Sequence, residues 1–98
     1  MSKQHFFLKL NPPRPSFMMD MSDEEKQIMH SHVGYWNQLL EEGIAIVFGP
    51  VMHPNGGHGV GVVAVDSEEQ LKEVIAKDPA NGLNVYEFFP MRAVYKEN

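Results

Sequence analysis

The sequence predicts an α+β fold in which an antiparallel sheet carries two helices on one of its faces. Four short β-type runs and two segments with helix-start signals follow one another in the order β-α-β-β-α-β. The chain has 98 residues, which suits one domain with a modest core, so a single domain over residues 1–98 is expected. This order at this length is typical of the ferredoxin-like split βαβ unit.

The first predicted strand is the run "HFFLKL" at residues 5–10. Its residues Phe6, Leu8 and Leu10 alternate onto one face, as the period of a half-buried strand requires. The following "NPPRP" contains three prolines, which prevent the strand from continuing.

These prolines begin a predicted loop at residues 11–21 that is unusually apolar. It carries Phe17, Met18, Met19 and Met21. An exposed loop of this composition would leave a large apolar surface in water. We therefore expect the loop to fold over a pocket mouth or a subunit surface.

The three remaining predicted strands cover residues 44–50, 60–66 and 84–95. The first of these, "IAIVFGP", is almost continuously apolar, which is typical of a strand covered on both faces. Pro90 interrupts the last one. That strand is therefore expected to lie at an edge of the sheet or to break into two pieces.

Both predicted helices begin with a capping box. In the first, Ser22 is the N-cap and Glu25 reaches back to it, and the helix is expected to end at about Glu42, before Gly43. The second begins at the capping box of residues 67–70 and stops before Pro79.

The sheet face away from the helices is predicted to be apolar, with Val47, Val63, Phe88 and Phe89 on it. A face of this kind is too apolar to remain in water. We therefore expect a homodimer in which two sheets pack against each other.

The composition argues against several classes of function. A net charge of -5, with eight scattered Lys and Arg residues, disfavours a broad nucleic-acid surface. The absence of cysteine excludes disulfides, thiolate chemistry and Cys-ligated zinc. Because no apolar run has the length of a signal peptide or a transmembrane helix, we expect no membrane partner and a cytoplasmic location.

The stretch "MHSHVGYW" places His30 and His32 two residues apart, a spacing that would chelate a metal on a strand. On a helix each residue advances by about 100°, so the two rings point to opposite faces and no metal site is predicted. His30 is expected at the surface. His32 is expected amid Ile28, Leu39 and Trp36, where its ring nitrogens need partners. A core histidine and a catalytic histidine both fit that position.

Several segments together resemble the YCII-related family of small dimeric α/β-barrel proteins. They are "HVGYWNQLLEEG" at residues 32–43, "FGP" at 48–50, "GHGVGVVAVDSEEQLKEVIAKDP" at 57–79, and the last strand with its Pro90. Each segment is only moderately specific, whereas their order and spacing are more so. The resemblance extends over roughly residues 4–95.

The resemblance implies a His–Asp dyad formed by His32 and Asp78. A carboxylate bonded to one imidazole nitrogen fixes the tautomer and leaves the other nitrogen for general acid–base work. Asp78 also precedes Pro79, and Asp-Pro is common in turns, so a purely local role for this carboxylate stays open.

The resemblance further implies a cofactor-independent enzyme of the lyase (dehydrochlorinase) or isomerase type, acting on a small organic acid or lactone. Two alternatives stay open. One is a non-catalytic module of the same fold that binds a small ligand. The other is a protein similar to the cofactorless monooxygenases of the related dimeric α/β-barrel kind.

The candidate substrate-binding residues are Tyr35, Trp36, Arg14 and Pro50. The two aromatic residues would belong to the core or form a pocket wall, and Tyr35 could donate a hydrogen bond. Arg14 would bind a substrate carboxylate in bidentate fashion, although it also fits a plain surface charge.

Overall fold

The computed structural model describes residues 2–96, so the outermost residues of the predicted 1–98 domain lie outside it. Its elements are β1 (Gln4–Asn11), α1 (Phe17–Asp20), α2 (Asp23–Glu41), β2 (Ala45–Val51), β3 (His58–Val65), α3 (Glu68–Lys77) and β4 (Val85–Met91). The four strands form one antiparallel sheet in the order β2-β3-β1-β4. This arrangement confirms the predicted α+β class and is consistent with the ferredoxin-like fold.

The last strand lies at an edge of the sheet, as Pro90 predicts. Within residues 2–96, β4 pairs with β1 alone, and Phe6 is the register partner of Pro90. The strand ends at Met91, so the predicted extension to residue 95 is wrong. Proline has no N–H to offer a further neighbouring strand, which is why it is tolerated at this edge.

A short helix, α1, lies inside the segment predicted as a loop. Phe17 begins it and is buried, while the hydroxyl of Ser16 donates to Asp20 across the turn. Four residues make a single turn, which is too short for a hydrophobic period to appear in the sequence.

The predicted helix starts are present in the structure. Ser22 Oγ accepts from the Glu25 backbone, and Glu25 Oε1 accepts from the Ser22 backbone, so the first capping box is complete. In the second, Gln70 reaches the backbone of Asp66 instead of Ser67, which makes that capping box incomplete. None of the helices in the described part of the chain is long and apolar enough to cross a membrane.

The hydrophobic core lies between the sheet and the helices α2 and α3. Fully buried side chains come from each layer: Trp36 from α2, Leu71 from α3, and Leu8, Val63 and Val65 from the sheet. The core therefore holds the inner face of α2, which carries His32, firmly against the strands.

The prediction for the outer sheet face is wrong for two of its four residues. Val63 is the register partner of the buried Phe6, and Phe88 packs against the core, so both lie on the helix-covered face. Val47 and Phe89 do lie on the outer face, where they are 55% and 52% exposed. Phe88 and Phe89 are adjacent in one strand, so their side chains must point to opposite faces.

Within residues 2–96, one face of β2 is left open, so the expectation that this strand is covered on both faces is wrong. It forms the other edge of the sheet, and the exposure of Val47 shows that its outer face is open. A continuous apolar run here reflects an edge strand with an apolar outer side rather than a central strand.

Gly61→Ala is expected to lower the free energy of unfolding by about 1–3 kcal/mol, the usual cost of overpacking a core. A Cβ at Gly61 would lie only 2.9 Å from Cζ3 and 3.0 Å from Cη2 of the Trp36 indole. Urea denaturation followed by circular dichroism measures the change.

The matched control is Gly34→Ala in α2, where an added Cβ would meet no atom within 4 Å. Alanine favours a helix interior over glycine, so this variant is expected to be more stable by up to about 1 kcal/mol. Equal effects of the two substitutions would contradict the close approach of Trp36 to β3.

Candidate active site

His32 and Asp78 meet in the protein interior although they are far apart in the sequence. His32 lies on the buried face of α2 and Asp78 is the C-cap of α3, and they are 8% and 4% exposed. The Nδ1 atom of His32 lies 2.9 Å and 2.8 Å from the two carboxylate oxygens of Asp78. His30 is exposed on the other side of the helix, as helical spacing predicts.

The Asp78 carboxylate accepts three further hydrogen bonds. Trp36 Nε1 donates to Oδ2 over 2.9 Å, the Tyr86 hydroxyl donates to the same oxygen, and the Ala80 backbone donates to Oδ1 over 2.8 Å. The bond from Ala80 closes a turn after α3, so the local role of Asp78 and its contact with His32 are both present. An ionised carboxylate is an acceptor only, and this one is surrounded by donors.

These contacts decide the charge of the site. Burial raises the pKa of Asp78, but the hydrogen bonds from His32, Tyr86, the Ala80 backbone and Trp36 together lower it below its usual range. Burial raises the pKa of Tyr86, and its hydrogen bond to Asp78 raises it further. At neutral pH the carboxylate is therefore ionised and the phenol keeps its proton.

With Asp78 ionised, the neutral ring of His32 keeps its proton on Nδ1 and has its lone pair on Nε2. Within residues 2–96, no hydrogen-bond partner of Nε2 is found, and no fully buried side-chain nitrogen or oxygen lacks a partner. Nε2 is therefore accessible rather than sealed in the core. It is the part of His32 that is left to meet a ligand.

His32 lines a cavity of about 280 Å³ between α1, α2 and the strands β2 and β3. Most of the wall is apolar, and much of it consists of the flexible side chains Met18, Met21, Met29 and Met52 and the aromatic rings of Phe17, Trp36 and Phe48. In the described part of the chain, the wall contains no Lys, Arg, Asp or Glu, and its polar side chains are His32, His58 and Asn84. The imidazole of His32 thus faces a largely apolar chamber.

The sequence model of the YCII-related domain matches residues 5–94 of this chain. The chain belongs to the YCII-related family. This confirms the resemblance inferred from the motifs. No curated protein matches the chain in sequence.

Two of the four candidate substrate-binding residues of this YCII-related chain line the cavity, namely Trp36 and Pro50. The predicted loop also folds over a pocket, as its composition suggests. Its residues Phe17, Met18 and Met21 line the cavity, whereas the side chain of Met19, also in α1, is exposed.

Tyr35 does not line the cavity. Its hydroxyl donates to the carbonyl of Val74 over 2.7 Å, which ties α2 to α3. Burial, and to a lesser extent the charges of Asp78 and Glu42, raise the pKa of Tyr35 to about 12. This hydroxyl therefore joins α2 to α3 instead of lying beside Nε2 of His32.

Arg14 lies outside the cavity as well, and its guanidinium is already occupied. It donates to both carboxylate oxygens of Glu25, over 2.7 Å and 3.0 Å, and to Asp20 over 2.8 Å. The hydrogen bonds from Arg14, followed by that from the Ser22 backbone, lower the pKa of Glu25 to about 2. Arg14 therefore ties the segment around α1 to the start of α2.

Sequence reasoning missed two polar residues of the site, Tyr86 and Asn84. Tyr86 shares its sheet face with Phe88 through strand alternation, so its inward direction could have been found from the pattern. Asn84 stands just before β4 and is 3% exposed. Its neighbours in the sequence carry no signal that would mark it as buried.

Asp78→Asn is expected to lower the free energy of unfolding at pH 7 by about 2–3 kcal/mol, because an amide would turn an N–H toward buried donors. The folded-state pKa of Asp78 is lowered, so the contribution of its charge is present above the unfolded value of 3.8 and is lost as the pH falls through the folded value. The difference between the wild-type and variant proteins should therefore shrink below about pH 4.

The control is Asp66→Asn, at a carboxylate whose side chain is 71% exposed beside Lys3. A surface pair of this kind is worth less than about 1 kcal/mol. Chemical denaturation between pH 2 and pH 7 measures both variants. If the loss in free energy of unfolding caused by Asp78→Asn did not change with pH, this would contradict an ionised buried carboxylate at Asp78.

Proposed function

We propose that the chain is a cofactor-independent enzyme in which His32 acts as general base and Asp78 orients it. The observation that carries the proposal is that the two nitrogens of the His32 ring have different surroundings. Nδ1 is held by the carboxylate, while Nε2 has no partner within residues 2–96 and its ring lines a ligand-sized cavity. An imidazole sealed in the core with both nitrogens bonded to protein would have excluded this role.

Asp78 stabilises the imidazolium that forms when Nε2 takes a proton. Its other donors, Trp36, Tyr86 and the Ala80 backbone, lower its own basicity. The proton therefore stays on the ring, where it can be returned to the substrate, and does not pass to the carboxylate. This is the property that a reversible acid–base residue needs.

The proposed reaction begins with a C–H bond next to a carbonyl group. Nε2 of His32 takes the proton, and the electron pair of that bond moves toward the carbonyl oxygen. In a lyase, the pair then forms a C=C bond as a leaving group such as chloride departs from the neighbouring carbon. In an isomerase, the imidazolium returns the proton to another carbon of the same molecule.

The wall of the cavity favours a lactone over a free acid as the substrate. Binding a carboxylate inside an apolar chamber requires a cationic partner, and the described wall contains no Lys or Arg. The volume of about 280 Å³ lies just below the usual range of ligand pockets, about 300–1,000 Å³. A small, uncharged carbonyl compound fits both properties.

His32→Gln is expected to slow proton abstraction from α-angelica lactone by at least about 100-fold, the usual contribution of a general base. The rate of C–H to C–D exchange in D2O, followed by proton NMR, reports abstraction even where no product accumulates. His30→Gln is the control, because His30 lies exposed on the same helix and should leave the rate unchanged.

An equal exchange rate for His32→Gln and the wild-type protein would contradict the role of His32. A wild-type protein that catalyses no exchange, with this lactone or with β-chloro carbonyl compounds, would favour the non-catalytic ligand-binding module. The same cavity would then hold a ligand without changing it.

We also infer that two copies of the chain pack through the outer faces of their sheets. Val47, Val85 and Phe89 are large apolar side chains that stand exposed on this face. In the part of the chain that the structure describes, α2 and α3 pack on the opposite face of the sheet. A partner sheet would remove this apolar surface from water.

Phe89→Asp is expected to convert a dimer into a monomer at micromolar concentration, since a charge cannot be buried between two apolar sheets without a partner. Sedimentation velocity measures the oligomeric state of the wild-type protein and of both variants. Met19→Asp is the matched control, because Met19 is 90% exposed but lies in α1, away from this face. A monomeric wild-type protein would contradict the inference.

A further inference from the structure

The side chain of Asn84 at the cavity wall is almost fully buried and yet poorly bonded within residues 2–96. It is 3% exposed. Its Nδ2 atom has a single partner within residues 2–96, the thioether sulfur of Met29 at 3.4 Å, and its Oδ1 atom has none there. A thioether is a weak acceptor, so most of the hydrogen-bonding capacity of this amide is unused.

Since no fully buried side-chain nitrogen or oxygen within residues 2–96 lacks a partner, the unpartnered Oδ1 keeps some exposed surface and can meet water or a ligand. Exchanging the amide nitrogen and oxygen does not change this, because one of the two atoms still faces a sulfur. The other atom still lacks a protein partner. The amide is therefore suited to receive a hydrogen bond from a bound ligand or to donate one.

The contact with Met29 places the amide at this cavity. Asn84 also borders a shallow depression that includes Lys72 and Gly82, but Met29 lines the cavity and not that depression. The end of the Asn84 side chain thus lies on the same side as the ring of His32.

One turn of the chain positions both Asn84 and Asp78. The Ala80 backbone N–H donates to Asp78 Oδ1, and its carbonyl accepts from the Asn84 backbone over 2.9 Å. Gly82 supports this turn with a φ of 103°, a conformation that side chains rarely adopt. The carboxylate and the amide are therefore held at a fixed separation.

The two side chains meet neighbouring positions of one stripe on α2. Asn84 contacts Met29, and Asp78 contacts His32 and Trp36, which follow at helix spacings of three and seven residues. Met29 and His32 are separated by about 4.5 Å along the helix axis. The amide thus lies against the same stretch of α2 as the imidazole, and both residues line the cavity.

We propose that Asn84 is a specificity-determining residue that binds an uncharged oxygen of the ligand, a carbonyl or a hydroxyl, while His32 faces another part of the same ligand. The ligand class is a small, uncharged molecule with an apolar body and one such oxygen. The proposal rests on the cavity as the ligand site assumed in the proposed function. It does not require that His32 transfers a proton.

Three probes with one ring system test this assignment: naphthalene, 2-naphthol and 2-naphthoate. The chain has one tryptophan, Trp36, and it lines the cavity, so the single indole N–H signal in a nitrogen-15 NMR spectrum reports binding. The wild-type protein is expected to bind 2-naphthol about tenfold more tightly than naphthalene, the value of one net hydrogen bond. 2-Naphthoate should bind most weakly, since the wall offers no cationic side chain.

Asn84→Leu should abolish the preference for 2-naphthol while leaving naphthalene binding intact. Asn81→Leu is the control, because Asn81 is exposed in the same turn and should keep the preference. His32→Gln should also keep most of it, which separates this proposal from proton transfer. In the wild-type protein, the Asn84 side-chain amide signals should shift more with 2-naphthol than with naphthalene, a readout that needs no variant.

Three results would overturn the assignment. The first is an unchanged preference in a folded Asn84→Leu protein, together with Asn84 amide signals that 2-naphthol does not move. The second is tightest binding of 2-naphthoate, which would mean that the site selects anions. The third is a wild-type protein whose indole signal responds to none of the probes. Absence of lactone exchange with retention of the 2-naphthol preference would reject the catalytic role of His32 alone.

Discussion

A carboxylate buried at the end of α3 accepts hydrogen bonds from three side chains and one backbone amide. The donors belong to α2, to β4 and to the turn after α3, so Asp78 joins helix, strand and turn at one point. The indole of Trp36 is part of the same arrangement, because it fills the core beside Gly61 and also donates to Asp78. Core packing and site geometry therefore depend on one another, and neither can be altered at Trp36 without the other.

The element order was predictable because its signals are local. Ser22 and Glu25 mark a helix start within four residues, and the alternation of Phe6, Leu8 and Leu10 marks a strand within five. What failed was the assignment of sheet faces for Val63 and Phe88. The face of Val63 depends on pairing between strands, which no short window of sequence contains. Phe88 and Phe89 are neighbours in one strand, so the alternation of side chains already excludes placing both on one face.

Only some residues of the candidate site were predictable, and His32 and Asp78 were predicted for different reasons. Helical spacing alone places His32 on the inner face of α2, whereas Asp78 came from the resemblance to a family. The inward direction of Tyr86 could be found from strand alternation, but the partners of Tyr86 and Asn84 became visible only with the chain folded. Tyr86 meets Trp36 and Asn84 meets Met29, each more than forty positions away. Local patterns say which side chains turn inward, but they do not say which of them meet.

Two different parts of the chain form the wall of the cavity. The stripe of α2 and the turn after α3 carry its main polar groups, whereas Phe17, Met18 and Met21 close it from the segment around α1. None of these three side chains bonds to Asp78. Substitutions in that segment could therefore change the shape of the cavity and leave the contact between His32 and Asp78 intact, so that the two can be altered separately.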